Sequence, residues 1–347
     1  MTCVADDAGT RAPFLRRRRA RGFVAGVLAL GALALVSLVV GSRPVPLAEA
    51  FDALRAYDAG NDRHLVIREL RVPRTFVAVL AGLALGVAGA VMQAVTRNPL
   101  AEPGLLGINA GAAAGVVIGV AAFGAATMAH YVWFAFAGAG LAGVAVFLLG
   151  QAHRTGIDPV RLVLAGAGLS IMLASVTGIV ILNAPLAVFD DFRNWAAGSV
   201  EGRGLDVAGV LALAVAAGLG MALPIAGSLN AMALGSDLGR ALGVDARVTW
   251  LLACLSVMLL SGAATAAAGP IAFVGLAAPH AARMMTGPDY RWILPGSALL
   301  AAILLLGADV LGRLIAAPSE VAAGIVASLL GGPFFIAVAR RFRLMKP

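Results

Sequence analysis

Lysine is almost missing from this chain: of its 26 Lys and Arg residues the single lysine is Lys346, beside the C-terminus. A nucleotide-binding loop of the Gly-x-x-x-x-Gly-Lys-Ser/Thr kind needs a lysine to reach the terminal phosphates, so no such loop is present. Cysteine is scarce too. Cys3 lies in a basic tail and Cys254 in an apolar run, which argues against a disulfide and against a cysteine-ligated metal. The histidines, His64, His130, His153 and His280, form no i, i+4 pair, and no metal site is expected. Charge is short overall: 13% of the 347 residues are charged, against about 25% in soluble domains.

Apolar residues fill the gap. They make up 61% of the chain, and mean hydropathy is +0.93. A chain this apolar has no surface to offer water, so its solvent is a lipid bilayer. The 43 glycines suit close packing of membrane helices. The net charge of +8 then reads as the excess of arginine on the cytoplasmic side of a membrane protein rather than as a nucleic-acid surface.

A spanning helix needs about 20 apolar residues to cross about 30 Å of hydrocarbon. Ten segments qualify as candidates: Phe23–Gly41, Arg74–Val95, Gly104–Phe123, Tyr131–Gly150, Leu162–Leu182, Val207–Ala226, Val248–Ala267, Pro270–Met284, Ile293–Leu311 and Val321–Ala339. The eighth is short for a crossing. The expected fold is all-α and polytopic, with both termini cytoplasmic, because that orientation concentrates the arginines inside and the acids outside. Arg16–Arg19 and Ala48-Glu49-Ala50 imitate a secretory signal, but the apolar stretch between them exceeds a signal core, so an uncleaved first helix is expected.

The spanning cores are almost free of charge. No Asp, Glu, Lys or Arg occurs between Glu102 and Arg154, or over Leu162–Phe189 or Val248–Ala282. Intramembrane charges mark ion and proton paths, so their absence argues against an ion-coupled carrier. No clustered set of catalytic groups is present, which argues against an enzyme. Gly82 and Gly86, and then Gly111, Gly115 and Gly119, fall at four-residue intervals that suit helix contacts. Pro73–Gly107 and Ala246–Pro279 share a faint pattern of helix, glycine-rich stretch and proline turn, a weak sign of two related halves.

Five segments depart from plain lipid-facing helix. Arg68-Glu69-Leu70-Arg71-Val72-Pro73-Arg74 is a charged entry to the second segment. Arg97-Asn98-Pro99-Leu100-Ala101-Glu102-Pro103 is a polar turn. Leu229-Asn230-Ala231-Met232-Ala233-Leu234-Gly235 leads to Ala241-Leu242-Gly243-Val244. Gly269-Pro270-Ile271-Ala272-Phe273-Val274-Gly275-Leu276 leads to Pro279, His280 and Arg283. Asp309, Arg313 and Glu320 fall between the last two segments. In order and spacing, from about Arg68 to Phe335, these residues resemble the FecCD-type permeases, importers of ferric siderophores, cobalamin and haem.

The resemblance implies ten helices per subunit and a second permease subunit, identical or related, with the path between them. It also implies two cytoplasmic ATPase subunits that carry ATP and Mg, an external substrate-binding protein, and location in the bacterial cytoplasmic (inner) membrane. This chain would itself bind no cofactor and hydrolyse no ATP. The domains would be a basic tail over 1–22, one permease domain over 23–340 with a coupling loop at 227–247, and a tail over 341–347. Asn230, Leu234, Gly235, Ala241, Leu242 and Gly243 would contact the ATPase, with Asn230 capping a short helix, Gly235 ending it, and Leu234 or Leu242 as an apolar knob. Arg71, Arg74 and Arg313 would face carboxylates of the binding protein, a role that suits the two-pronged guanidinium. Asp158, Pro159 and Val160 occupy the position of an inner gate. Where the family commonly has Glu-x-Pro-x-Gly, this chain has Glu320-Val321-Ala322-Ala323-Gly324. Phe189-Asp190-Asp191-Phe192-Arg193-Asn194-Trp195-Ala196-Ala197-Gly198-Ser199, with Glu201-Gly202-Arg203, looks more like siderophore members than like the cobalamin one.

Overall fold

The computed structural model describes residues 7–41, 44–123, 128–150, 159–233 and 235–343. Among them every regular element is a helix. The ten longest are α1 (Asp7–Val39), α2 (Val72–Thr96), α3 (Ile108–Phe123), α4 (Met128–Leu149), α5 (Pro159–Asn183), α6 (Leu205–Ala222), α7 (Ala246–Ala268), α8 (Val274–Thr286), α9 (Tyr290–Ile315) and α10 (Ala323–Arg343). Each expected segment therefore coincides with one helix.

Boundaries differ where local chemistry overrides hydropathy. α1 begins at Asp7, so the basic tail is helical from that residue, as arginine and alanine favour. α3 starts at Ile108 rather than Gly104, because Pro103 opens a separate 3-10 turn, Pro103–Leu106, that ends on Gly107 with φ 73°. α6 stops at Ala222, ahead of a short helix over Ala226–Ala233. Asp245 and Asp289 start α7 and α9 as N-caps: each carboxylate accepts from backbone N–H groups of the first turn.

Among the described residues seven helices are long and apolar enough to cross a membrane, with α3 and α10 as shorter apolar helices. α8, at 13 residues, spans about 20 Å at 1.5 Å per residue, short of the bilayer core.

α2 is the hub. It packs against α6, α7, α8 and α9. In its most apolar stretch 78% of residues are buried, against 6% in α1, which touches the bundle mainly along α9. Glycine is what lets α2 sit there. A Cβ on Gly82 would press on the Ala301 and Ala302 backbone of α9, and one on Gly86 would collide with the Ser297 carbonyl. Gly111, Gly115 and Gly119 play the same part between α3 and α4. These glycines are thus helix contacts, as their spacing suggests.

Gly89 is the tightest of the set. Pro279 inside α8 has no N–H for the carbonyl four residues before it, which is that of Gly275. That oxygen lies where a Cβ of Gly89 would be. A side chain here has no room to move into, since the obstacle is backbone. Gly89→Leu is expected to separate α2 from α8 and to cost about 3 kcal/mol or more. The check is the thermal midpoint of the detergent-purified protein, with Gly209→Leu, whose Cβ meets nothing within 4 Å, as the tolerated control.

Candidate functional site

Two short helices connect α6 to α7. Ala226–Ala233 packs on α2, α7 and α9, and Ser236–Ala241 follows it. Gly235 links them at φ 125°, open to glycine alone at no cost. The second helix ends on Gly243 at φ 78°. The Gly243 N–H donates to Arg240 O (2.9 Å) and the Val244 N–H to Gly239 O (3.1 Å). That double closure is a Schellman motif, and it makes a rigid stub.

On the stub Leu242 is 63% exposed, and Leu238, one turn earlier, is exposed beside it. Ala241 and Gly243 are exposed as well. Sequence reading passes over Leu238, although its i, i+4 spacing from Leu242 is the available signal. Leu234 lies outside the described residues.

Asn230 does not cap its own helix. It lies inside Ala226–Ala233, and its side chain reaches the start of α9. Its Nδ2 donates to Asp289 Oδ1 (2.6 Å), while its Oδ1 accepts from the Tyr290 N–H (2.8 Å). A forked bond of this kind ties Ala226–Ala233 to α9. Beyond it, Arg283 of α8 donates long hydrogen bonds, each 3.4 Å, to the Tyr290 hydroxyl and to Gln93 Oε1 of α2. Gln93 in turn donates to Leu276 O of α8. Polar contacts therefore run from the helix before the stub, Ala226–Ala233, to the hub helix.

The α2–α3 and α7–α8 turns meet each other. Arg97 ends α2 in the left-handed region (φ 51°), and Asn98 Oδ1 accepts from the Leu100 N–H across Pro99. The Glu102 carboxylate accepts from the Phe273 N–H at 3.0 Å, and Pro103 rests against Gly275. Pro279 is buried and His280 half-buried on α8. Two turns 171 residues apart are thus one structural unit.

At the opposite end of α2 lie the three arginines expected to face a binding protein. In this chain they are buried, with 6% of Arg71, 9% of Arg74 and 2% of Arg313 exposed. Arg74 donates to Asp309 from Nε and Nη2 (3.0 and 2.8 Å) and to Glu320 from Nη1 (2.6 Å). Arg313 donates to Asp309 (2.7 Å), to the Ser37 hydroxyl (2.6 Å), and to the carbonyls of Ser37 and Val40. Arg71 donates to the carbonyls of Leu38 and Val39. The last carbonyls of a helix lack partners of their own. Here Arg71 and Arg313 supply them for α1, which makes the cluster an internal clasp between α1, α2 and α9.

The segment Leu186–Ala196 and the turn after it cover the end of α7. Gly198, at φ 74°, lies against Pro270 O and Gly324, and Trp195 is fully buried. Arg203 is also buried and donates to Ser199 O (3.1 Å), and burial draws its pKa down to about 10. Of the expected gate residues, Pro159 and Val160 open α5, with Val160 exposed. Asp158 lies outside the described residues. Among the described residues no group of three or more His, Cys, Asp or Glu side chains is placed to hold a metal.

A bundle with seven membrane-length apolar helices, glycine-packed around one hub, defines a multi-pass membrane protein. Residues 29–341 match the model of the FecCD transport family, and the chain belongs to that family. It is 42% identical, over 92% of its length and 95% of the relative's, to the ferric enterobactin transport system permease protein FepD of Escherichia coli. It is 40% identical to the iron(3+)-hydroxamate import system permease protein FhuB of Bacillus subtilis, over 92% of this chain and 83% of that protein. The Fe(3+)-citrate import system permease protein YfmD of B. subtilis is also 40% identical, over 90% and 92%. In fold the chain is similar to a solved inward-facing structure described as a metal-chelate type ABC transporter. The TM-score is 0.80 over 93% of this chain and 99% of that one, at 24% identity.

Proposed function

We propose that this chain is the membrane-spanning subunit of an ATP-driven importer that passes ferric siderophore across a bacterial cytoplasmic membrane. The match to the FecCD family over residues 29–341 carries the reading. Three of its relatives are named for iron chelates: enterobactin, hydroxamate and citrate. Cobalamin or haem is the alternative cargo within the family. In this reading all ten helices traverse or enter the bilayer and both termini are cytoplasmic. A second permease subunit completes the path, two ATPase subunits bind ATP and Mg, and an external binding protein delivers the cargo.

The stub at Ser236–Ala241 and Leu242 is proposed as the ATPase contact. An exposed apolar pair on a closed short helix suits a partner's cleft, and the fork from Asn230 to α9 would carry its displacement into the bundle. The arginine clasp serves the bundle itself, because its buried guanidinium groups are committed to α1, Asp309 and Glu320.

The test is reconstitution in liposomes. Uptake of iron-loaded siderophore is expected only with ATP, ATPase subunits and binding protein all present, and the purified chain alone is expected to hydrolyse no ATP. ATP hydrolysis by the contaminant-free chain would overturn the division of labour. Uptake of cobalamin or haem in place of siderophore would overturn the cargo.

A further inference from the structure

A cleft of about 450 Å³ opens between α1, the end of α8 and the start of α9. Phe23, Ala29, Leu299 and Ile303 give it apolar walls, and Arg18, Arg19 and Trp292 stand at one end. Its size is that of a small-molecule pocket, yet its shape is a groove open along the side of the bundle. Two features of the sequence create it. Gly22 leaves open space where a side chain would project, and Gly26 lets α1 lean on Leu299. Arg19 sits 5.9 Å from the Trp292 ring centre and close to Gly287. Neither Arg18 nor Arg19 has a carboxylate partner among the described residues.

We propose that this cleft binds one phospholipid with an anionic headgroup, its acyl chain along the α1–α9 groove and its phosphate on Arg18 and Arg19. The charge pattern selects this occupant. A soluble anion would leave the apolar groove empty, and a zwitterionic lipid would bring a cation toward two guanidinium groups that no carboxylate balances. Arg18 and Arg19 fall in the first turn of the apolar span that begins at Arg17, the depth at which headgroups lie. Basic pockets between membrane helices take anionic headgroups in this way, and tryptophan favours the same interfacial depth. With so little of α1 buried, a lipid wedged beside it is a structural part of its seat.

The experiment is native mass spectrometry of the full-length protein in detergent, titrated separately with dioleoyl phosphatidylglycerol, dioleoyl phosphatidylethanolamine and inorganic phosphate. One tightly held phosphatidylglycerol is expected, in preference to phosphatidylethanolamine, with no displacement by phosphate. The pair Arg18→Gln and Arg19→Gln should lower that preference by on the order of fivefold for each charge removed. Gly22→Leu keeps both charges and fills the groove, and it should lower binding of phosphatidylglycerol as well. Neither variant touches the packed core, and an unchanged thermal midpoint without lipid checks that. Equal retention of the two lipids, or displacement by phosphate, would overturn the proposal. So would undiminished phosphatidylglycerol binding in either variant.

Discussion

Asp309→Ala is expected to destabilise the protein by roughly 3–5 kcal/mol, the cost of removing one partner from a buried ion cluster. Asp309 is 1% exposed and is the carboxylate shared by Arg74 and Arg313. Without it three buried cations, Arg71, Arg74 and Arg313, share one remaining acid, Glu320, whose carboxylate is bonded to Arg74. The effect should spread to α1, because Arg313 holds Ser37 and Val40 only while Asp309 orients it. Glu320→Gln is the comparison. Its side chain is 17% exposed and lies at the edge of the clasp, and glutamine keeps an acceptor, so a loss on the order of 1 kcal/mol is expected. Thermal midpoints in detergent, with protease sensitivity of the residue 40–46 connection as a local readout, separate the two. If Asp309→Ala melted no lower than Glu320→Gln, the clasp would not be what holds α1.

The clasp also shows where sequence reading stops. Each of the ten hydropathy segments falls on one of the ten longest helices, because burial in lipid imposes an apolar content that a single window detects. Among the described residues, however, seven helices are long and apolar enough to cross a membrane. Sequence reading placed Arg71, Arg74 and Arg313 correctly at helix ends. Asp309 stands one turn before Arg313 and was within reach, but the distant partners were not, since Ser37 is 276 residues from Arg313 and Asp309 is 235 from Arg74. An arginine at a helix end reads the same whether it meets another protein or the carbonyls of a neighbouring helix. Asn230 repeats the lesson. A local rule made it a cap, and it does meet a helix N-terminus, but the helix is α9, 60 residues away. The Glu102–Phe273 contact was foreshadowed only by the faint likeness of its two turns. The closure of the stub at Gly243 was also missed, although its signal is local: glycine is the one residue type that accepts φ 78° cheaply there.

Leu242→Asp is expected to cut transport by more than tenfold while leaving the bundle intact. The side chain is 63% exposed, so the folded chain loses almost no packing. If Leu242 enters a cleft of the ATPase, the aspartate must shed its water without gaining a partner, a penalty of several kcal/mol that falls on docking alone. Leu238→Asp, on the same face of the stub, should act in the same direction, because the two leucines would share one apolar contact. Asn230→Leu attacks the next link. It removes both arms of the fork to Asp289 and Tyr290, so the ATPase should still bind while uptake per ATP hydrolysed falls. The measurements are ATPase affinity by pull-down titration, and uptake alongside hydrolysis in proteoliposomes. A drop in affinity for the two leucine variants, with a drop in uptake per ATP at normal affinity for Asn230→Leu, is the pattern that separates docking from transmission. Wild-type uptake in Leu242→Asp would remove the stub from the ATPase contact, whatever the fate of Asn230.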